Sequence, residues 1–226
     1  FTDLSTGSPT GRAWFFGDEN FTAAWTEQTP TAGWTARNGH TSVTMPDGSI
    51  VLMGGWDDAG YKNDTWRSVN EGDSWVSMNP SSGWSERYGH TSVVMPDGSI
   101  ILMGGVDSIG KMHDVWRSAD RGATWMLVNA SAGWSERYGH SSVAMPDGSI
   151  VLMGGGDDTI RMNDTWRSTD YGATWTQQTT HAGWIARDGH SSVVLHAGSI
   201  VLTGGYDGTS PLNDVWRSLD NGTTWT

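Results

Sequence analysis

The sequence predicts an all-β protein, a β-propeller built from four-stranded antiparallel blades. Three observations indicate this fold. The 226-residue chain repeats itself with a period of 50 residues and without insertions. Each repeat carries short strand-like segments separated by glycine-containing turns. The chain has 15 tryptophans, 13 of which recur with the repeat, and large aromatic side chains fill the space between packed sheets.

The repeat is marked by four short motifs at constant spacing. Gly-Trp, Arg-x-Gly-His, Gly-Gly and Trp-Arg-Ser each occur in all four copies. Residues 83–125 and 133–175 are identical at 31 of 43 positions, and six of the 12 differences fall between Val106 and His113. The copies therefore vary mainly in one short segment.

Each repeat contains four segments with strand character. In the first copy, residues 39–45 alternate apolar and polar side chains, and residues 49–55 are apolar and β-branched up to a Gly-Gly pair. The variable segment 56–62 is expected to be a loop. Residues 63–69 and 75–78 supply the third and fourth strands. No room remains for the helices that connect parallel strands, so we expect antiparallel pairing.

Two turn motifs separate these strands. MPDGS at 45–49 combines a proline, which fixes φ, with a glycine that accepts positive φ. NEGDS at 70–74 is the second turn and precedes the fourth strand.

The motifs resemble two known repeats. The order of Arg-x-Gly-His, apolar strand, Gly-Gly, Asn-Asp-x-Trp and closing tryptophan resembles the kelch repeat, which has a similar period. The end of each unit resembles the Asp-box, Ser-x-Asp-x-Gly-x-Thr-Trp. It stands at 118–125, 168–175 and 218–225, and in weaker form at 68–75. This resemblance covers residues 33–226 and implies that an aspartate holds each turn: Asp120, Asp170 and Asp220.

The N-terminal residues follow the repeat only faintly. Residues 14–18, Trp-Phe-Phe-Gly-Asp, resemble a motif of PKD (polycystic-kidney-disease) domains, which are immunoglobulin-like modules of surface proteins. In the 50-residue frame, Phe16, Asn20 and Trp25 nevertheless align with markers of the repeat. We therefore expect residues 1–28 to form a PKD-like partial blade.

The predicted organisation is a single propeller domain over residues 1–226 with five blades. The partial blade precedes four complete ones at 29–78, 79–128, 129–178 and 179–226. The alternative is a fragment of a larger ring whose further blades follow Thr226.

Composition excludes several classes of site. The formal net charge is −12, and eight of the 13 Lys and Arg residues recur with the repeat, so no basic surface remains for nucleic acid. No apolar run is long enough to span a membrane. The chain has no cysteine, which rules out disulfides and thiolate-bound metals.

Two sets of recurring polar residues are candidate sites. The Arg-x-Gly-His motifs could bind an anion in a central channel, but four equal copies favour a structural role at the blade edges. These residues are Arg37, His40, Arg87, His90, Arg137, His140, Arg187 and His190. The Asn-Asp or His-Asp pairs that precede each Trp-Arg-Ser motif offer oxygen ligands together with the upstream Asp57, Asp107, Asp157 and Asp207, so Ca²⁺ binding stays open. We expect no other cofactor.

The variable segment between the second and third strands is the candidate binding region. Its divergence between otherwise similar blades indicates freedom from packing, although neutral drift of an exposed loop would have the same effect. In propellers this loop and the connection between blades lie on one face. The candidate ligand-binding residues are Trp56, Asp58, Tyr61, Tyr88, Tyr138 and Tyr206.

These observations predict a non-enzymatic binding or adhesion module that presents its variable loops to a glycan or a protein. The kelch and PKD resemblances imply a secreted or cell-surface protein of archaea or bacteria. The alternative is a structural element that associates with copies of itself. A sialidase-like glycosidase is less favoured, because each Glu lies singly and glycoside hydrolysis needs paired acids.

Overall fold

The structure, a computed structural model, describes residues 26–226, and this part of the chain contains β-strands and no helix. The strands form four antiparallel sheets, the blades of a β-propeller, which confirms the predicted fold class. Blade 1 contains β1 (Thr41–Thr44), β2 (Ile50–Asp57), β3 (Gly60–Ser68) and β4 (Val76–Asn79); blade 2 contains β5 (Thr91–Val94), β6 (Ile100–Val106), β7 (Lys111–Ser118) and β8 (Met126–Asn129); blade 3 contains β9 (Ser141–Ala144), β10 (Ile150–Met153), β11 (Thr165–Ser168) and β12 (Thr176–Thr179); blade 4 contains β13 (Ser191–Val194), β14 (Ile200–Thr203) and β15 (Val215–Ser218).

Strands that are adjacent in sequence pair in space. In blade 1 the sheet order is β1-β2-β3-β4, and Leu52 lies opposite Trp66. Blades 2 and 3 repeat this order, whereas blade 4 has three strands. At the outer edge of blade 4, Thr226 exchanges two backbone hydrogen bonds of 2.9 Å with Arg217, in the place of a fourth strand.

The segment predicted as a loop between the second and third strands is partly strand in blades 1 and 2. In blade 1 the hairpin continues to a two-residue turn at Asp58 and Ala59. Gly54 and Gly55 allow this, because the register shifts there and their φ angles of 60° and 105° suit glycine. In blades 3 and 4 the regular strands end before the glycines, and isolated bridges follow.

Neighbouring blades pack face to face through a repeated apolar core. One side of blade 1, with Val51 and Met53, packs against Ile100 and Trp84 of blade 2. The Trp84 indole lies edge-on to Trp125, with ring centroids 6.0 Å apart. The same cluster recurs between blades 2 and 3 and between blades 3 and 4. Each such buried side chain contributes about 1.5–3 kcal/mol.

The turn that ends each unit, residues 118–125 in blade 2, is here called the closing turn, and in blades 2, 3 and 4 it contacts the preceding blade. In blade 2, Oδ1 of Asp120 accepts hydrogen bonds from the Thr124 N–H (2.8 Å) and the Ser118 hydroxyl (2.9 Å). Gly122, at φ 88°, turns its carbonyl toward blade 1, where the Thr65 hydroxyl donates to it over 2.6 Å. A closing turn therefore covers the blade that precedes it.

The first strands of the four blades surround a common axis. Strand β1 contacts β5, β5 contacts β9, and β9 contacts β13. Within residues 26–226, β13 and β1 do not contact each other, so the four blades form an open arc. The predicted partial blade at 1–28 lies outside the described residues apart from its last three. No helix in the described part of the chain is long and apolar enough to cross a membrane.

Candidate ligand-binding face

Three positions in each blade lie side by side at one end of the propeller. In blade 1, Asn38 and Trp56 exchange backbone hydrogen bonds of 3.0 and 2.9 Å, and Trp56 pairs with Tyr61 across the hairpin. The other blades repeat this arrangement, and we call the twelve residues the loop face: Asn38, Trp56 and Tyr61; Tyr88, Val106 and Lys111; Tyr138, Gly156 and Arg161; Asp188, Tyr206 and Pro211.

Three of the predicted ligand-binding residues form an aromatic row across the first three blades. The ring centroids of Tyr61 and Tyr88 are 5.7 Å apart, and those of Tyr88 and Tyr138 are 6.4 Å apart. The rings are tilted by 32° and 41° and remain half-buried. Burial raises the pKa of the Tyr88 phenol, and the neighbouring tyrosines add to this effect. The Tyr88 phenol is therefore a neutral hydrogen-bonding group at pH 7.

The other predicted residues lie at the ends of this row. Trp56 and Tyr206 are both 38% exposed, whereas Trp84, a core tryptophan, is 1% exposed. Asp58 is exposed at the tip of the blade 1 hairpin. Tyr206 belongs to blade 4, beyond the aromatic row. Backbone pairing with Tyr61 therefore places Trp56 next to the aromatic row, whereas Asp58 lies further out in the hairpin turn.

A charged group, absent from the predicted set, completes the loop face. The Arg161 Nε lies 3.2 Å from a carboxylate oxygen of Asp188, and its guanidinium stacks 4.9 Å from the Tyr206 ring centroid. Lys111 pairs with Asp158 of the next blade. Lys111 and Arg161 occupy the same repeat position as Tyr61, and Asp188 occupies that of Tyr88, so alignment by position would have found them. The predicted set, which is aromatic apart from Asp58, does not include them.

Backbone hydrogen bonds hold neighbouring blades together under the loop face. The Gly89 N–H donates to the Gly39 carbonyl (3.0 Å), Gly139 donates to Gly89 (2.9 Å), and Gly189 donates to Gly139 (2.8 Å). The Tyr88 side chain lies so close to Gly39 that a Cβ there would be 2.8 Å from the ring. Glycine is required at this position, and the aromatic row is held by rigid backbone.

A buried arginine of each blade lies beside the loop face. In blade 3, Arg137 is 0% exposed and binds both carboxylate oxygens of Asp164, with distances of 2.7 and 2.9 Å. It also donates to the carbonyls of Gly154 (2.8 Å) and Ser135 (3.0 Å). Asp164 in turn accepts a 2.7 Å bond from the Trp166 indole. The guanidinium is saturated by protein groups.

The other three copies make the same contacts. The pairs are Arg37 with Asp64, Arg87 with Asp114, and Arg187 with Asp214. The hydrogen bonds from Arg187 lower the pKa of Asp214 to about 2.

The histidines of the Arg-x-Gly-His motifs join successive blades. Nε2 of His140 lies 2.8 Å from the Thr91 hydroxyl of the preceding blade, and His90 and His190 have equivalent partners. Burial, assisted by the adjacent arginine charge, lowers the pKa of His90 to about 3 and that of His190 to about 4. These rings are neutral at pH 7. Only His40, at the open end of blade 1, is exposed.

The carboxylates considered as Ca²⁺ ligands have other partners in this structure. Those of the Asn-Asp and His-Asp pairs bind the buried arginines. Asp57 accepts hydrogen bonds from Lys62 and Thr35, which lower its pKa to about 2. Among residues 26–226, no three acidic or histidine side chains cluster as a metal site would require.

No protein-family model matches the chain, and no curated protein is detectably similar to it. Over residues 26–226 the chain forms an open arc of four β-propeller blades. The side chains of its loop face differ from blade to blade.

Proposed function

We propose that the protein is a non-enzymatic binding module that uses the loop face to hold a glycan or a protein outside the cell. The observation that carries the proposal is the row of Tyr61, Tyr88 and Tyr138, extended by the exposed Trp56. Among residues 26–226, every other tryptophan recurs with the repeat and is at least partly buried, and the two exposed aromatic side chains, Trp56 and Tyr206, both lie on the loop face.

The composition of the loop face supports binding. Tyrosine, tryptophan and arginine are enriched in protein recognition surfaces, because they combine a large apolar area with a hydrogen-bonding group. Aromatic rings also offer flat apolar faces with polar edges, which suit the mixed surface of a sugar. The rigid backbone beneath reduces the entropy lost when a ligand binds.

The proposed location rests on sequence resemblance. The kelch-like and Asp-box-like motifs, together with the PKD-like residues 14–18, are combined in surface proteins, which favours a secreted or cell-surface setting. The acidic composition, with a net charge of −12, suits an exposed protein that does not bind nucleic acid.

The test is a ligand screen with the full chain, on a glycan array and against extracted cell-surface proteins. We expect a ligand whose affinity falls about tenfold or more in Tyr61→Ser/Tyr88→Ser, because central aromatic residues dominate binding energy. The matched control is Val69→Ser/Val76→Ser, which changes side chains that are 72% and 65% exposed away from the loop face. Absence of any ligand, or equal loss in both variants, would refute the proposal.

Assembly with copies of itself is a second candidate function. It is favoured by the open arc, whose two ends leave one side of blade 4 and one side of blade 1 without a neighbouring blade in the described part of the chain. Sedimentation of the full chain over a range of concentrations tests it. Concentration-dependent association would favour assembly, and a constant monomer mass would refute it.

A further inference from the structure

Two of the five tyrosines in the chain lie under an arginine. The Arg161 guanidinium stacks 4.9 Å from the Tyr206 ring centroid, and the Arg117 guanidinium stacks 4.3 Å from that of Tyr171. Each of these arginines also lies within ion-pair distance of one aspartate. The face of the ring and the carboxylate therefore attract the same cation.

The three remaining tyrosines form the aromatic row and have no such partner. Among residues 26–226, no cationic side chain stacks on the rings of Tyr61, Tyr88 or Tyr138. The three rings are half-buried, so part of each remains open to solvent. The row thus offers three further rings of the kind that accepts a guanidinium elsewhere in this chain.

The end of the propeller that carries the loop face is acidic. Besides the buried arginine–aspartate pairs, the connections at this end hold nine carboxylates and three cationic side chains. The acidic residues are Asp57, Asp58, Glu86, Asp107, Glu136, Asp157, Asp158, Asp188 and Asp207, and the cationic residues are Lys62, Lys111 and Arg161. The aromatic row therefore lies in a region of net negative charge, which favours a cationic partner over an acidic glycan.

The cationic side chains at this end are already paired, whereas several carboxylates are not. The three ion pairs are Lys62 with Asp57, Lys111 with Asp158, and Arg161 with Asp188. Glu86 and Glu136 are exposed, have no ion-pair partner in the described part of the chain, and lie two residues before Tyr88 and Tyr138 on the same connections. A neutral glycan would leave these charges unused, but a basic partner would pair with them.

The spacing of the rings fits an extended peptide. The centroids of Tyr61 and Tyr88 are 5.7 Å apart, and those of Tyr88 and Tyr138 are 6.4 Å apart. In an extended chain, alternate side chains point to the same side and recur about every 6.4–6.8 Å. A segment that lies along the row would therefore bring every second side chain to a successive ring.

Arginine fits this surface better than lysine. Its guanidinium is planar, so it stacks on an aromatic face while its edge remains free to donate hydrogen bonds to a carboxylate. Both stacked tyrosines of this chain show that choice, since Tyr171 and Tyr206 each carry an arginine. Lysine has a compact, strongly hydrated charge that gains less from a flat ring.

We propose that the loop face binds an extended, basic segment of a partner protein that has arginines at alternate positions, with one guanidinium over each ring of the aromatic row. The assignment rests on the proposed function of this face and names the class of its ligand. Glu86 and Glu136 supply carboxylates near the row, as Asp188 does beside Arg161. The backbone hydrogen bonds between Gly39, Gly89 and Gly139 keep the spacing of the rings fixed.

Peptide binding to the full chain tests the order of the arginines. The probe is a labelled peptide in which three arginines alternate with serines, and the matched control has the same composition with the arginines in succession. We expect the alternating peptide to bind about threefold more tightly, because the control cannot direct all three guanidinium groups to one side. A third peptide with glutamine for arginine should bind about thirtyfold more weakly. Equal affinity for the first two peptides, or for all three, would overturn the proposal.

Matched charge variants test the position of the binding site. Glu86→Gln/Glu136→Gln removes two carboxylates near the row and should weaken binding of the alternating peptide about threefold. Glu71→Gln/Asp73→Asn makes the same change in charge at exposed positions of the opposite end and should leave the affinity unchanged. Equal losses in both variants would mean that net charge alone attracts the peptide, and the assignment to the loop face would be wrong.

Ring variants test the stacking. Tyr61→Phe/Tyr88→Phe keeps both rings and should bind the alternating peptide nearly as well as the unchanged chain. Tyr61→Leu/Tyr88→Leu keeps apolar side chains without a ring face and should lose about tenfold in affinity. An equal loss in the two variants would show that the phenol hydroxyls hold the peptide, which contradicts stacking.

The ligand screen separates failure of this assignment from failure of the proposed function. A neutral glycan that binds Glu86→Gln/Glu136→Gln normally but loses affinity for Tyr61→Ser/Tyr88→Ser would confirm the loop face as a binding site and refute a basic partner. If neither the screen nor the arginine peptides give binding, both the assignment and the proposed function are wrong.

Discussion

Two adjacent residues in blade 3 belong to different parts of the molecule. Arg137 is fully buried and binds Asp164, whereas its neighbour Tyr138 is half-buried in the aromatic row of the loop face. Arginine occupies the first position in every blade, but the second position holds Asn38, Tyr88, Tyr138 or Asp188.

The difference follows from the partners of each side chain. Arg137 has its donors satisfied by two carbonyls, the Ser135 hydroxyl and one carboxylate, so a change there leaves buried polar groups unpaired. The next residue contacts the adjacent blade and solvent, where many side chains fit. The propeller can therefore vary its loop face without altering the contacts that hold its blades together.

The largest effect is expected at the buried ion pair. Asp164→Ala should lower the free energy of unfolding by about 3–5 kcal/mol, because it leaves the Arg137 charge buried and unpaired. Denaturant unfolding of the full chain measures this loss. Asp58→Ala, at an exposed hairpin tip, is the control and should change stability by less than about 0.5 kcal/mol. Similar effects of the two changes would show that the buried ion pair is no more important for stability than an exposed residue of the hairpin tip.

A smaller loss of stability is expected at Gly155, where both the backbone conformation and the neighbouring atoms require glycine. Gly155→Ala places a Cβ 2.7 Å from the His140 Cβ at φ 87°. The strained conformation alone costs about 1–3 kcal/mol. Gly198→Ala is the matched control, with φ 82° and open space around the added methyl group. A shift in melting temperature of equal size in both variants would show that the contact with His140 is unimportant.

Acid should destabilise the folded protein by protonating its buried histidines. The pKa of His90 is about 3 in the folded protein and near 6.5 when exposed, so the unfolded chain binds the proton first. Stability is complete above about pH 6.5 and falls as the pH drops toward 3. At pH 5 this histidine should account for a loss of about 2 kcal/mol. His90→Gln should flatten this part of the pH profile of unfolding, and an unchanged profile would exclude the effect.

The smallest effect on stability is expected on the loop face. Trp56→Ser should change the free energy of unfolding by less than about 1 kcal/mol, since the side chain is 38% exposed. Affinity for a ligand found by the screen should nevertheless fall. Parallel measurement of unfolding and binding checks both statements. A large loss of stability would show that Trp56 helps to hold the blades together.

Much of the fold could be predicted because the local signals agree with one another. The Pro-Asp-Gly turn and the Gly-Gly pair recur at fixed spacing, and the strands β1 and β2 form between them as expected. The hairpin beyond Gly55 could not be predicted, because its pairing depends on a register shift that the alternation of residues does not reveal. In blades 3 and 4 the same spacing gives only isolated bridges.

The candidate site was predicted in part. Aromatic character and variability identified Tyr61, Tyr88 and Tyr138 in separate segments, but nothing in the sequence states that their rings lie about 6 Å apart. The pairing of Arg161 with Asp188 crosses from one blade to the next. Such contacts depend on how blades pack, which residue type alone does not specify.

Sequence alone is enough to show that this protein repeats a four-stranded unit and which residues of the unit are constant, because turn chemistry and strand patterning act over a few residues. Tertiary structure decided what the constant residues do. Packing of one blade on the next buries each arginine with its aspartate, joins the variable positions into a single loop face, and leaves one side of blade 4 uncovered among residues 26–226. These outcomes depend on contacts between residues from different repeats, and only the folded arc brings them together.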